Sequence, residues 1–466
     1  MKKMRHLLVA LAITAMSAGA ANAQYSWDIG TPTASDVKAT FSDNTLTISG
    51  TGKMQDFALP GAPWHSMSIT KLVIESGVTN IGNYAFANCE NLTGNLTIPS
   101  SVTSIGSYAF YWCTGLTGDL VIPNSVVSIG DDAFYRCSSL TGSLTLPDFI
   151  TSIGNSVFQQ CRFTGILTLP NTVTSIGDRA FSGYNFTGNL NIPSSVKSIG
   201  TYAFQACGFT GNLTIPNTVT SIGDGAFADC TGFTGILTIS SSVKSIGNYA
   251  FIRCSGLTGN ITIPNSIMSI GNYAFNSCSS FTGNVTIPGS VTSIGNNAFS
   301  GCSGLTSITI PNTVTSIGDY ALSCSGLTSI TSLNATPAVI TLGANVFSDV
   351  NKNACTLKVP TGSKTLYEAA DQWKAFYHIE EGATAIENVE IPSITIYPNP
   401  VQDELKIENG ELKIKNVQIF DLSGKIILHS QLSILHSISV ANMPQGIYFI
   451  RIETDRGIVT KKFIKK

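Results

Sequence analysis

The sequence predicts a mainly β protein: a solenoid of about eleven coils with end caps, followed by a small C-terminal β-sandwich. Three observations predict it. Ile-Gly pairs recur every 23 or 24 residues, at Ile81, Ile105, Ile129, Ile153, Ile176, Ile199, Ile222, Ile246, Ile270, Ile294 and Ile317. Within each period the apolar residues form short alternating stretches that no single coil can bury alone. The last stretch, residues 393–466, abandons the period and breaks into short strand-like segments separated by turn residues.

Composition narrows the function. Hydrophobic residues make up 43% of the chain and charged residues 12%, so the chain folds rather than remaining disordered. The net charge of −2 supplies no concentrated basic footprint and excludes nucleic acid as a partner.

Residues 1–23 read as an export signal: Lys2, Lys3 and Arg5 precede the apolar run Leu7 to Ala15. Ala21-Asn22-Ala23 forms the cleavage site, which places the mature start at Gln24. The run is shorter than the roughly 20 residues needed to cross hydrocarbon, and no later segment has that character, so the mature chain is expected to lack a transmembrane segment. Residues 24–71, with Trp27, Trp64 and the strand-like Thr45-Leu-Thr-Ile-Ser, form the N-terminal cap.

Residues 72–327 are the solenoid, and the coil ending at Cys137 shows its logic. Leu120 and Ile122 alternate with outward positions as in a half-buried strand, and Pro123 ends it because proline has no N–H to donate. Val126 and Ile129 make a second inward stretch, and Gly130 is expected to turn a tight corner with positive φ. Ala133, Phe134 and Cys137 have the i, i+1, i+4 spacing of one face of a helical or 3₁₀ turn. Eleven such coils at roughly 4.8 Å each stack into a rod on the order of 50 Å long. Residues 328–380 depart from the period, keep echoes of it in Val346-Phe347 and Leu357-Lys-Val-Pro360, and read as the closing cap.

Ten of the eleven cysteines share one slot: Cys89, Cys113, Cys137, Cys161, Cys207, Cys230, Cys254, Cys278, Cys302 and, one residue early, Cys324. Tyr184 fills it in the remaining coil. Stacked in register, their Cβ atoms stand at the coil spacing, beyond the roughly 3.5–4.5 Å that a disulfide prefers, so they read as buried thiols. The CxxC or histidine partners of a zinc site are lacking, and no metal or cofactor is expected.

No catalytic constellation emerges. The histidines are His6, His65, His378, His429 and His436, none in the regular coils, so a Ser-His-Asp or Cys-His arrangement has no base there. The pair Asp131 and Asp132 reads as a solvated corner. Sequence varies most at the two residues after Ile-Gly and the two before Cys. There Tyr108, Tyr111, Trp112, Tyr135 and Arg136 gather on adjacent coils as an aromatic and basic patch, the candidate ligand site.

The elements Leu-Thr-x-Ile-Pro, Val-Thr-Ser-Ile-Gly and Ala-Phe-x-x-Cys resemble the BspA-like leucine-rich repeats of bacterial surface proteins over roughly residues 45–380. That resemblance implies a secreted or surface binding module directed at host or neighbouring-cell macromolecules.

A linker, residues 381–392, leads to the final domain, 393–466. Its expected strands run through Ile394 to Tyr397, Glu404 to Ile407, Val417 to Asp421 and Lys425 to His429. Ser437 to Val440, Ile447 to Glu453 and Ile458 to Phe463 complete a β-sandwich of seven. Its motifs are Tyr397-Pro398-Asn399-Pro400, the turn reaching Gly424 and Lys425, the run containing Pro444, Gly446 and Tyr448, and a basic end with Lys465 and Lys466. They resemble the type A C-terminal sorting domain of the type IX secretion system of Bacteroidota. The resemblance implies type IX secretion machinery as a partner, and an exported protein at the outer-membrane surface or in the medium.

The leading expectation is thus a non-enzymatic, adhesin-like binding protein whose extracellular macromolecule is a host matrix protein, a glycan or a neighbouring cell surface. The alternatives are a passive structural or envelope protein and a cell-surface carbohydrate-active hydrolase.

Overall fold

The computed structural model describes residues 24–183, 186–383, 395–408, 414–421, 426–430, 437–454 and 457–466. The signal segment with Ala21 and Ala23, residues 384–392 of the linker, Tyr184, Gly424 and Lys425 lie outside the described residues, whereas Gln24 is described and exposed. The chain divides into two units, Met1–Ala383 and Thr384–Lys466.

The first unit is a stack of coils held by two ladders of short parallel strands. One ladder is the Ser-Ile column, in which Ser152–Ile153, Ser175–Ile176, Ser198–Ile199 and Ser221–Ile222 pair in register. The other is the Leu-Thr column, where Leu144–Thr145 pairs with Leu167–Thr168 and Leu213–Thr214 with Leu237–Thr238. Most strands are two residues long; in most coils a proline follows the Leu-Thr strand and turns the chain, as where Val126 N–H donates to the Pro123 carbonyl at 3.0 Å, whereas Gly follows each Ser-Ile strand of the other ladder.

The third side of the coil differs from the expected helical or 3₁₀ turn. Ala133, Phe134 and Cys137 are fully buried, as their spacing predicts. Yet the segment is a chain of turns, because alternate N–H groups serve different coils. Ala133, Tyr135 and Cys137 donate back to Gly130, Asp132 and Phe134, whereas Asp132, Phe134 and Arg136 donate to Asn155, Val157 and Gln159 of the next coil. Left-handed residues, Asp132 at φ 57° and Arg136 at φ 58°, make this alternation possible.

The corner glycine also acts differently from expectation. Positive φ falls two residues beyond it, and Gly130 itself is not left-handed. It is glycine because coils touch there: a Cβ on Gly130 would stand 2.4 Å from the Ser107 nitrogen. Close approach, rather than torsional freedom, sets this residue.

Side chains complete the stack. The oxygen of the Asn or Asp after Ile-Gly accepts the backbone N–H in the same slot of the next coil, as Asn83 does from Ser107 at 2.7 Å and Asn272 from Asn296 at 2.7 Å. The hydroxyls of Ser125, Ser195 and Thr218 donate to carbonyls of the preceding coil at 2.6–2.7 Å. Backbone groups at coil corners are thereby satisfied without long strands.

One continuous core runs from Ile29 to Ile379. Its spine is a phenylalanine column from Phe86 to Phe299, with consecutive rings 5.2–5.7 Å apart. Trp64 covers the first ring at 6.2 Å and donates its indole N–H to Ala85. Ahead of it, Tyr25–Asp28, Val37–Ser42 and Thr45–Gly50 form an antiparallel meander whose last strand pairs in parallel with Lys71–Ile74.

Residues beyond 327 extend the stack: Ser329–Ser332, Thr356–Val359 and His378–Glu381 add strands to one ladder and Thr341–Leu342 to the other. The helix Lys364–Ala369 and a cluster of Phe347, Tyr367 and Trp373 close it.

Replacing Phe204, which has no exposure, by Ala is expected to cost about 3–5 kcal/mol through lost contacts and a cavity. Chemical denaturation followed by fluorescence should show an earlier, broader transition, since neighbouring coils lose a shared partner.

In the second unit all seven expected strands are present, within the described residues. Thr395–Tyr397, Glu404–Glu408 and Ser437–Ser439 form one sheet. Ile414–Phe420, Ile426–Ser430, Gly446–Thr454 and Gly457–Lys465 form the other. They share a core that includes Val401, Leu405, Ile419, Ile450 and Phe463.

Candidate functional site

The five residues of the aromatic and basic patch come together. Tyr108 and Tyr111 meet edge to face at 5.4 Å, Tyr111 stacks on Tyr135 at 5.0 Å, and the Tyr111 and Trp112 rings lie 6.3 Å apart. The Arg136 guanidinium lies over Trp112, 4.3 Å from the ring centroid, and bonds Gln160 in the same slot of the next coil. All five side chains are half-buried.

Sequence reasoning missed two members. Tyr84 stacks on Tyr108 at 4.6 Å and extends the patch by one coil. It occupies the same slot as Tyr108, so the signal was available. Asp132 shares a hydrogen bond with Tyr108, and its carboxylate, together with burial, raises the phenol's pKa above the usual value. Burial raises the Asp132 pKa in turn, with the Tyr108 bond opposing. Asp131 bonds the Asn155 backbone at 2.8 Å and belongs to the side-chain ladder. The two adjacent carboxylates are thus both occupied.

Tyr84 with Tyr108 and Tyr111 with Tyr135 stack along the solenoid, so each of these rings has one face covered by its partner. Trp112 Nε1 is buried without a hydrogen-bond partner. Tyr84, Tyr108, Trp112 and Arg136 all have φ between 55° and 58°, a conformation that costs an L-residue roughly 1–2 kcal/mol and that Gly or Asn enters more cheaply. Some coils take the cheaper choice in these slots, Asn88, Gly225 and Asn297, whereas Tyr202, Tyr249, Tyr273 and Tyr320 repeat the costlier one.

The cysteine slot is structural. All eleven cysteines are buried thiols rather than disulfides, and Cys113, Cys137 and Cys161 donate to the Phe carbonyl of the coil before at 3.1–3.2 Å. Burial pushes the Cys230 and Cys324 thiols up to about 12 and Cys355 up to about 11. Thiolate chemistry is thereby suppressed near neutral pH. Among the described residues no group of three or more His, Cys, Asp or Glu could hold a metal, and no helix is long and apolar enough to cross a membrane.

In the C-terminal unit, the Asn399 amide bonds the backbone of the last strand twice, to Lys462 at 3.2 Å and from Ile464 at 2.9 Å. Tyr397, Pro398 and Pro400 beside it are exposed. The Tyr448 hydroxyl donates to the Pro444 carbonyl at 3.0 Å, and its ring lies 5.8 Å from Phe463. Gly446 opens that strand opposite Lys465, whose amine reaches the Lys466 carbonyl at 2.6 Å. The first motif and the basic end are thereby tied together although they are far apart in sequence.

Comparisons with known proteins agree with this architecture. The BspA type leucine rich repeat region matches in six copies, over residues 63–187, 117–234, 142–258 and 257–370. The secretion system C-terminal sorting domain matches residues 395–466. Neither is a catalytic family. No curated protein matches the chain. Among solved structures, a leucine-rich repeat protein from Bacteroides ovatus is similar at 24% identity and a TM-score of 0.50, covering 75% of this chain and 98% of that one. A leucine rich cell surface protein from Faecalibacterium prausnitzii matches at 27% identity and a TM-score of 0.41, covering 64% of this chain and 93% of the other. The sorting domain directs export by the type IX secretion system to the cell surface or the extracellular space. With repeat matches running from residue 63 to residue 370, the chain belongs to the BspA type leucine rich repeat family.

Proposed function

We propose that the solenoid is an adhesin-like binding module, displayed or released outside the cell, that holds a protein partner through the patch of Tyr84, Tyr108, Tyr111, Trp112, Tyr135 and Arg136. The observation that carries this reading is the packing: on successive coils Tyr84 stacks on Tyr108, Tyr111 stacks on Tyr135 and Arg136 lies over Trp112, although four of these six hold left-handed positions that cost an L-residue free energy. Ring stacking, and a cation–π contact of about 0.5–1 kcal/mol, offset part of that cost. Rings that stack on one another, beside phenol hydroxyls and a guanidinium, suit the polar and aromatic anchors of a protein interface better than a flat sugar face.

The type IX machinery is the second partner in this reading, and the tied motifs of the terminal domain are the surface it would recognise. In this reading the solenoid has no catalytic role: the acidic pair Asp131 and Asp132 is engaged by its neighbours.

The test is a binding screen of the full chain on immobilised extracellular-matrix proteins and intact cells. Tyr111→Ala combined with Trp112→Ala is expected to weaken the strongest interaction by at least about tenfold, about 1.4 kcal/mol or more, with an unchanged far-UV spectrum. Equal binding by the folded variant refutes the patch, and a chain that binds nothing is a passive envelope protein.

A further inference from the structure

We propose a second binding surface, on a different side of the coil: the outward face of the Leu-Thr ladder, which takes a neutral, extended polysaccharide. It goes beyond the protein-binding reading and shares no residue with the aromatic patch.

Along this ladder the side chains alternate in and out, so each coil shows three outward groups two residues apart, as Thr93, Asn95 and Thr97 do. The third column is the informative one. Its members Thr97, Thr145, Thr168, Thr214, Thr238 and Thr262 are exposed. Where they pair, they do so in register: Thr145 faces Thr168, Thr214 faces Thr238, and Thr262 faces Thr286. Neighbouring hydroxyls therefore repeat at about 4.8 Å along the stack and roughly 6.7 Å from the adjacent column.

Hydroxyls on the corner column are spent on the fold, as Ser125, Ser195 and Thr218 show by donating to carbonyls. None of the six threonines named above makes a side-chain hydrogen bond to the protein among the described residues. Stacking does not need these hydroxyls, and a β-branched residue such as valine fills the slot equally well at Val121.

Chemistry selects the ligand. Between Thr93 and Thr309 the three columns carry a single ionised residue, Asp119, so a polyanion or polycation finds nothing to pair with. Thr and Asn each donate and accept, which matches a sugar hydroxyl that does both. Val121, Ile166 and Ile236, exposed by 69%, 56% and 50%, interrupt the polar array with aliphatic ground for the C–H faces of a pyranose. At its start the face deepens into a groove of about 580 Å³ lined by Thr70, Leu72, Thr93, Asn95 and Thr97, with Lys71 the single charged residue of its lining. A surface that repeats coil by coil fits a polymer that repeats unit by unit, with weak contacts summed over many coils.

The experiment is co-sedimentation of the full chain with microcrystalline cellulose and chitin, with xylan and mannan as soluble competitors and heparin as the charged control. At least one neutral polysaccharide is expected to bind, with little loss when salt rises to about 1 M, since no ion pairs are involved. Thr168→Val, Thr214→Val and Thr262→Val together keep the shape and remove three hydroxyls; binding should fall about tenfold or more. Thr168→Arg, Thr214→Arg and Thr262→Arg should abolish it. Tyr111→Ala with Trp112→Ala should leave it unchanged, which separates this surface from the protein-binding one. Binding to heparin alone, binding to none of the four neutral polymers, or full binding by a folded valine variant overturns the proposal.

Discussion

Removing residues 395–466 is expected to leave the protein inside the cell, with none displayed or released. The deletion discards the whole matched sorting domain with its own core, so the chain loses its export address while the core of the solenoid keeps all its residues. Fractionation with an antibody against the repeats reads the result. The truncated chain should still refold to the same far-UV spectrum, because the core from Ile29 to Ile379 is untouched. A finer variant probes the tie between the two ends of the domain: Asn399→Ala removes both side-chain bonds to the last strand and should reduce, not abolish, export. Undiminished surface display of the truncated chain would remove the type IX assignment.

Alkali is expected to melt the solenoid far more steeply than it melts an ordinary β protein. Burial raises thiol pKa values throughout the cysteine column, Cys230 and Cys324 to about 12 and Cys207 and Cys254 well above the ordinary value of 9.0. A raised acid pKa means that the folded chain holds protons the unfolded chain releases. That contribution is complete below about pH 9 and is lost as pH climbs through the folded values. Between those limits each thiol should lower stability by about 1.4 kcal/mol per pH unit, and the column multiplies the effect. Denaturant midpoints measured under reducing conditions from about pH 8 to about pH 11 give the slope. Cys207→Ala, Cys230→Ala and Cys254→Ala together should flatten it even if they weaken the protein at neutral pH. An unchanged slope in that variant would assign alkaline unfolding to tyrosine or lysine instead.

The period, the strand faces and the buried cysteines were legible in the sequence because each depends on spacing alone. The seven strands of the terminal sandwich were legible for the same reason. What escaped was chemistry that needs two coils at once. Gly130 looked like a torsional necessity, yet its neighbour across the stack, Ser107, is what forbids a side chain. The Asn83 to Ser107 bond joins residues 24 apart, and nothing local marks Asn83 as an acceptor. Its trace in the sequence is the recurrence of Asn and Asp immediately after Ile-Gly. Tyr84 was missed because the patch was drawn on the two coils ending at Cys113 and Cys137, although its slot is that of Tyr108. The expected helical or 3₁₀ turn over Ala133 to Cys137 was not found, because burial spacing cannot distinguish either from linked turns whose donors alternate between coils.

That alternation makes every coil interchangeable with the next. Asp132, Phe134 and Arg136 reach forward to a partner chosen by position rather than by identity, so an internal unit can be excised or duplicated and the ends will meet the same acceptors. The reach of the protein is then a quantity that recombination adjusts in whole steps, while the fold itself stays as it was.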